Sequence, residues 1–161
     1  MHPRIVARAF VSVSAVKDER GNTYIPSENR NDIGDWASTE AYKVHSESAQ
    51  TLTITGSSVE TTTTIPLQKG WNLIPYLPDD AQSVDVALQS ISRELVLVKD
   101  EAGNTYVPAY GINEIGQLEP KEGYQVYVNA DVDLVYSSGS TRASTPPAST
   151  TGPSSSGLDD R

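Results

Sequence analysis

The sequence predicts a mainly β protein: a β-rich α+β fold of small antiparallel, barrel-like sheet units with one short helix, present as one and a half copies. Two observations carry this. The phrase Val-Lys-Asp-Glu-Arg-Gly-Asn-Thr-Tyr-Ile-Pro at 16–26 returns, 82 residues later, as Val-Lys-Asp-Glu-Ala-Gly-Asn-Thr-Tyr-Val-Pro at 98–108. The match runs on without a gap: Asn31 falls on Asn113, Ile33 on Ile115, Gly34 on Gly116, Tyr42 on Tyr124, Val44 on Val126 and Leu52 on Leu134. Self-similarity at a fixed period is the signature of a repeated structural unit. The second observation is periodicity. Short alternating stretches rich in β-branched residues and tyrosine dominate, and a single stretch has helical spacing.

Residues 10–16 alternate like a strand. Asp18, Glu19, Arg20 and Gly21 form a turn in which Gly21 suits positive φ. Residues 22–25 lead back, and Pro26 ends the ladder because it has no N–H to donate. Residues 27–35 read as a polar loop, and 42–45 with 51–54 as a second strand pair. Residues 61–67 are β-branched and read as a strand. Gly70-Trp71-Asn72-Leu73-Ile74 is another, ending at Pro75, with Trp71 expected in the core. Ser83 is placed as an N-cap and Asp85 favours the helix dipole. Val84, Ala87, Leu88 and Ile91 share one helical face, so 84–92 reads as a short amphipathic helix. Residues 95–98 are apolar throughout, which predicts a strand buried on both faces. Beyond them the hairpin, loop and paired strands of the first copy recur.

These elements divide the chain into a partial β unit (1–56), a joining stretch (57–64), a complete unit (65–138) and a tail (139–161). The tail is almost pure Ser, Thr, Pro, Gly and Ala, a composition that buries too little apolar surface to offset its ordering entropy. The first copy lacks a counterpart of the strand at 71–74 and of the helix. Arg4 and Arg8 precede a small apolar run, but Arg8 interrupts it. The position matches the strand at 93–98, so the start reads as strand rather than as a secretion signal.

The formal net charge is −9 across 161 residues. That argues against nucleic acid and against an anionic membrane surface, both of which need clustered Lys and Arg. No stretch reaches the roughly 18 apolar residues of a membrane span, so no membrane insertion is expected. With no cysteine, disulfides and thiolate chemistry are absent.

Gly70-Trp71-Asn72-Leu73-Ile74, the Ser-Val-x-x-Ala-Leu-x-Ser-Ile stretch at 83–91, Leu-Val-x-Val-Lys-Asp at 95–100 and Glu-Pro-Lys-Glu-Gly-Tyr-Gln-Val-Tyr at 119–127 together resemble a tandem repeat module of bacterial and archaeal secreted or cell-surface proteins. The resemblance spans 65–138 in full and 16–56 in part. It implies an extracellular or cell-surface location and an accessory, non-catalytic role. The first copy departs from the pattern: it has no Gly-Trp-Asn start, and Ala41 stands where the second copy has Gly123.

Candidate chemistry is sparse. Asp18, Glu19, Asp100 and Glu101 are weak Ca²⁺ candidates, because such a site needs six to eight oxygens and adjacent side chains on a strand end diverge. Glu40 and Glu122 are matched acids, but Glu122 lies in a Pro-Lys-Glu-Gly turn. The histidines are His2, near the terminus, and His45, which matches Tyr127 and alternates onto a surface face. No base stands beside a nucleophile, so no catalytic residue and no cofactor are assigned. Trp36, Tyr76, Tyr110 and Tyr127 do not repeat and are the aromatics left for a surface. They offer a polysaccharide-binding alternative. The favoured reading is a non-enzymatic module that spaces or docks by sheet-edge pairing, with protein partners: copies of itself or neighbouring domains of a larger surface protein.

Overall fold

The computed structural model describes residues 12–51 and 59–137. The leading residues, most of the strand expected at 51–54, part of the joining stretch and the Ser/Thr/Pro-rich tail lie outside that range. Four strands form the first sheet: β1 (Val13–Lys17), β2 (Thr23–Ile25), β3 (Arg30–Asn31) and β4 (Lys43–Ser46). Their order is β3-β2-β1-β4, antiparallel throughout. The chain continues through β5 (Ile65–Leu67), β6 (Gly70–Pro75), β7 (Gln82–Ser83), α1 (Val84–Ala87), β8 (Leu95–Lys99), β9 (Thr105–Val107), β10 (Ile112–Asn113), β11 (Gln117–Leu118), β12 (Gly123–Val128) and β13 (Val132–Leu134). The second sheet runs β10-β9-β8-β12-β6, and two small ladders, β11-β7 and β13-β5, flank it. The protein is thus mainly β, built from open antiparallel sheets.

The two sheets carry the same strands at matched positions, except that among the described residues β6 has no counterpart beside β4. The likeness extends to single hydrogen bonds. Asp18 and Asp100 each receive the backbone N–H four residues on, at 2.8 Å, and the side-chain amide of that same asparagine at 2.7 Å. Gly21 and Gly103 follow at φ 88° and 91°. The strands β2 and β9 both run into a 3₁₀ turn opened by proline, which closes on a left-handed residue, Asn29 (φ 53°) or Gly111 (φ 66°). Asn31 and Asn113 accept from the N–H of Gly34 and Gly116 at 3.0 and 2.8 Å. The tyrosine hydroxyls of Tyr42 and Tyr124 accept from the N–H of Ala37 and Glu119 at 2.9 and 2.8 Å. A side chain accepting local backbone donors offers a turn without help from the rest of the chain, so similar phrases produce similar backbone here.

The main core belongs to the second sheet. Ile74, Val84, Leu88, Ile91, Val98, Leu118, Val126, Val128, Leu134 and Tyr136 are all fully buried there. Two buried tyrosines meet edge-on, Tyr76 and Tyr136, with ring centroids 5.2 Å apart. Their hydroxyls donate to the carbonyls of Asp80 (2.7 Å) and Pro75 (2.8 Å), so neither is buried unsatisfied. Among the described residues the first sheet has a smaller core: Val13 and Val16 are buried, with Tyr24, Ile33, Trp36 and Tyr42 packed around them.

Several expectations need correcting. The helix is one α turn followed by a 3₁₀ turn at Gln89–Ile91, because the backbone leaves helical geometry at Leu88 (φ −102°, ψ 18°). Its apolar face is nonetheless buried as expected. Ser83 sits at the N-cap but makes no side-chain cap bond. Its hydroxyl bonds the Asp85 carboxyl instead and holds that group below the usual carboxylate range. The strand at 95–98 is central in its sheet, yet Val96 is exposed and Leu97 only half-buried, because the core covers one face alone. The residues 42–45 pair with β1, with Val44 opposite Val16; the partner strand expected at 51–54 falls mostly outside the described residues. The loop at 27–35 contains the short strand β3. Trp71 is the clearest reversal. It is 53% exposed, while its neighbour Asn72 is buried. The Asn72 amide accepts from the Gln68 N–H (2.9 Å) and donates to the carbonyls of Gln68 (2.8 Å) and Gly70 (3.1 Å), closing the β5–β6 turn. Alternation then sends Trp71 outward.

Candidate functional site

The two sheets meet along the outer edge of β6. The hairpin turn after β1 points at it, and the Glu19 carboxylate accepts the Leu73 N–H at 3.2 Å. An exposed edge strand presents unpaired N–H groups, and Glu19 occupies one of them. At the other contact, Ala41 faces Gly123. A Cβ placed on Gly123 would lie 3.0 Å from the Ala41 Cβ. The two residues hold the same place in the two copies. The junction has room for one methyl group there, which accounts for alanine in one copy and glycine in the other.

Between these contacts lies a cleft of about 190 Å³ whose lining includes Lys17, Asp18, Glu19, Lys43, Trp71, Leu73 and Gln125. Past Glu19 a second hollow of about 290 Å³ continues along the same edge toward Ile65 and Thr39. Trp71 packs edge-on against Tyr127 across the β6–β12 pair, with centroids 5.3 Å apart and an interplanar angle of 73°. Lys17 and Lys43 stand opposite each other on β1 and β4.

The four aromatics expected at the surface are scattered. Tyr76 is buried at 4% exposure against Tyr136, and desolvation pushes its hydroxyl up to about 12. Trp36 is partly buried, stacked on Tyr42 at 4.3 Å. Tyr110 is 81% exposed, at the end of a 3₁₀ turn. Tyr127 is half-buried, and it alone of the four adjoins the cleft, through Trp71. The residue that floors the cleft is Trp71, which hydropathy assigns to a core. The asparagine after it is the signal that could have been read: a glycine-aromatic-asparagine strand start in which the amide closes the preceding turn must face inward.

Of the four acids considered for Ca²⁺, three are engaged in hydrogen bonds, and Glu101 is exposed in the turn after β8. The Asp18 carboxylate takes three bonds of its own turn, Asp100 takes two, and Glu19 binds the Leu73 N–H. Among the described residues no group of three or more acids or histidines is placed to hold a metal ion. Glu122 sits in a turn, its N–H donating to the Glu119 carbonyl at 3.3 Å after Lys121 at φ 71°. Glu40 repeats that bond to Ala37 at 3.3 Å. A contact that sequence reasoning missed joins the Ser14 hydroxyl to His45 Nδ1 at 2.5 Å. The irregularity of β1 between Val13 and Ala15 places Ser14 across from His45. Both are on the outer face of the first sheet, and no carboxylate bonds His45 among the described residues to orient it as a base.

No helix among the described residues is long and apolar enough to cross a membrane. Comparison with family models, with curated proteins and with solved structures returns no match for this chain.

Proposed function

We propose that this chain is a non-catalytic structural module of an extracellular or cell-surface protein, which docks with a neighbouring copy of the module through the outer edge of β4. One observation carries the reading. Val126 on β12 is fully buried, whereas its counterpart Val44 on β4 is 45% exposed. In the second sheet, β6 pairs along β12, and α1 with its following 3₁₀ turn lies in the core beside it. Among the described residues β4 is the terminal strand of the first sheet, and it is exposed along its whole length. An open edge beside an uncovered apolar side chain is a template for strand addition.

The partner is therefore a strand of the Gly70–Pro75 kind followed by a short amphipathic helix, exchanged out of the core of another copy in the manner of a domain swap. Trp36 narrows the opening. It occupies the place of the fully buried Leu118 and fills part of the space with its larger ring. Sedimentation equilibrium tests the proposal on the full chain, alone and with a synthetic peptide of residues 65–92. The expected result is concentration-dependent association or one-to-one peptide binding, lost in Val44→Asp. A chain that stays monomeric at high concentration and ignores the peptide overturns it.

A further inference from the structure

The cleft floored by Trp71 is built for a different ligand from the edge of β4. We infer that it binds a neutral sugar ring of a polysaccharide, stacked on Trp71 and held at its rim by Gln125, Lys43 and Glu19. A pyranose presents a face of C–H groups and a belt of hydroxyls. Its recognition needs an exposed, rigid aromatic and side chains that both donate and accept hydrogen bonds. Trp71 supplies the first. It stands outward on a paired strand, 53% exposed, with Tyr127 fixing one side of the indole. Gln125 lies opposite Leu73 on the adjoining strand, on the same face as Tyr127, and its amide offers a donor and an acceptor. Lys17 and Lys43 donate from the far wall, and Glu19 accepts.

Other ligand classes fit less well. A peptide strand needs the edge N–H groups of β6, and Glu19 already holds that of Leu73. Two lysines face two carboxylates, so the cleft carries no net charge with which to select an anion, and the chain as a whole is at −9. The volume of about 190 Å³ falls below the roughly 300–1,000 Å³ of sites for larger ligands. One ring fits the cleft. The hollow past Glu19 gives a neighbouring ring somewhere to go. The site needs both sheets, because its wall comes from the first and its floor from the second.

The two tryptophans make the test direct, since each gives one indole N–H resonance. The full chain is titrated with cellohexaose, xylohexaose, mannohexaose and chitohexaose. At least one of them shifts the Trp71 resonance and leaves that of Trp36 in place, with a dissociation constant on the order of millimolar for so small a contact. Affinity falls at least tenfold in Trp71→Ala and at least threefold in Gln125→Ala, and it is unchanged in Tyr110→Ala, whose ring stands outside the cleft. Silence of the Trp71 resonance toward all four sugars overturns the inference without any mutation. So does a natively folded Trp71→Ala that binds as well as the parent. Binding to polygalacturonate alone, collapsing with added salt, overturns the choice of a neutral ring.

Discussion

Val44 and Val126 hold the same place in the two sheets, and cutting each to alanine asks whether both places are covered. Each change removes two methyl groups, worth about 0.8 kcal/mol apiece when fully buried. Val126 has no exposed surface and lies in the main core with Val98 and Tyr124. Its loss adds a cavity term, so Val126→Ala costs about 2–3 kcal/mol. Val44 keeps 45% of its surface open, so only about half its transfer energy is at stake and the surroundings leave no closed cavity. Val44→Ala then costs about 0.8 kcal/mol or less. Urea unfolding of dilute chain, followed by circular dichroism and tryptophan fluorescence, reads both values from the shift in midpoint at constant slope. Equal costs at the two sites would mean that Val44 is covered as completely as Val126, against the exposure of the β4 edge.

Three further outcomes follow from the geometry. Gly123→Ala drives a methyl to 3.0 Å from the Ala41 Cβ and costs about 1–3 kcal/mol by overpacking; adding Ala41→Gly restores most of that, and a double-mutant cycle by urea unfolding measures the coupling. Asp18→Ala leaves the N–H groups of Arg20 and Asn22 without their acceptor in a partly buried turn and costs about 1–3 kcal/mol; the matched Asp100→Ala, in a more exposed turn with one backbone bond to lose, costs less by the same assay. Burial raises the Tyr76 hydroxyl to about 12 and raises that of Tyr136 as well, whereas an unfolded tyrosine titrates at about 10. Between those values the folded chain keeps a proton that the unfolded chain has lost, so stability is full below about pH 10 and falls as pH rises toward 12. The urea midpoint tracks this fall, and Tyr76→Phe makes it shallower.

The hairpins were legible because their instructions are local. An Asp that bonds its own turn, a glycine at positive φ and a proline that stops the ladder each act within a few residues, and they do so twice. The sheet order was not legible. That β4 returns to β1 depends on long-range pairing, which alternation alone does not specify. The inward turn of Asn72 and outward turn of Trp71 escaped for another reason. Hydropathy ranks side chains by transfer energy, but a hydrogen-bonded amide that closes a turn outweighs it at this strand start. Tyr76 misled in the opposite sense: it has no counterpart in the first copy and so reads as a surface residue, yet its ring packs against Tyr136 and its hydroxyl reaches the Asp80 carbonyl. Because the cleft is made by docking one sheet on the edge of the other, neither copy contains it.

The openness of β4 is best measured by amide hydrogen exchange at Val44, His45 and Ser46, set against Val126, Tyr127 and Val128, in dilute chain with and without the 65–92 peptide. Rapid exchange is expected at the outward-facing amides of β4, which lack the bonds that alternate amides make to β1, and slow exchange along β12, which is paired on both edges; the β4 amides gain protection when the peptide is added. Slow exchange at both strands in the dilute chain alone would contradict the open edge.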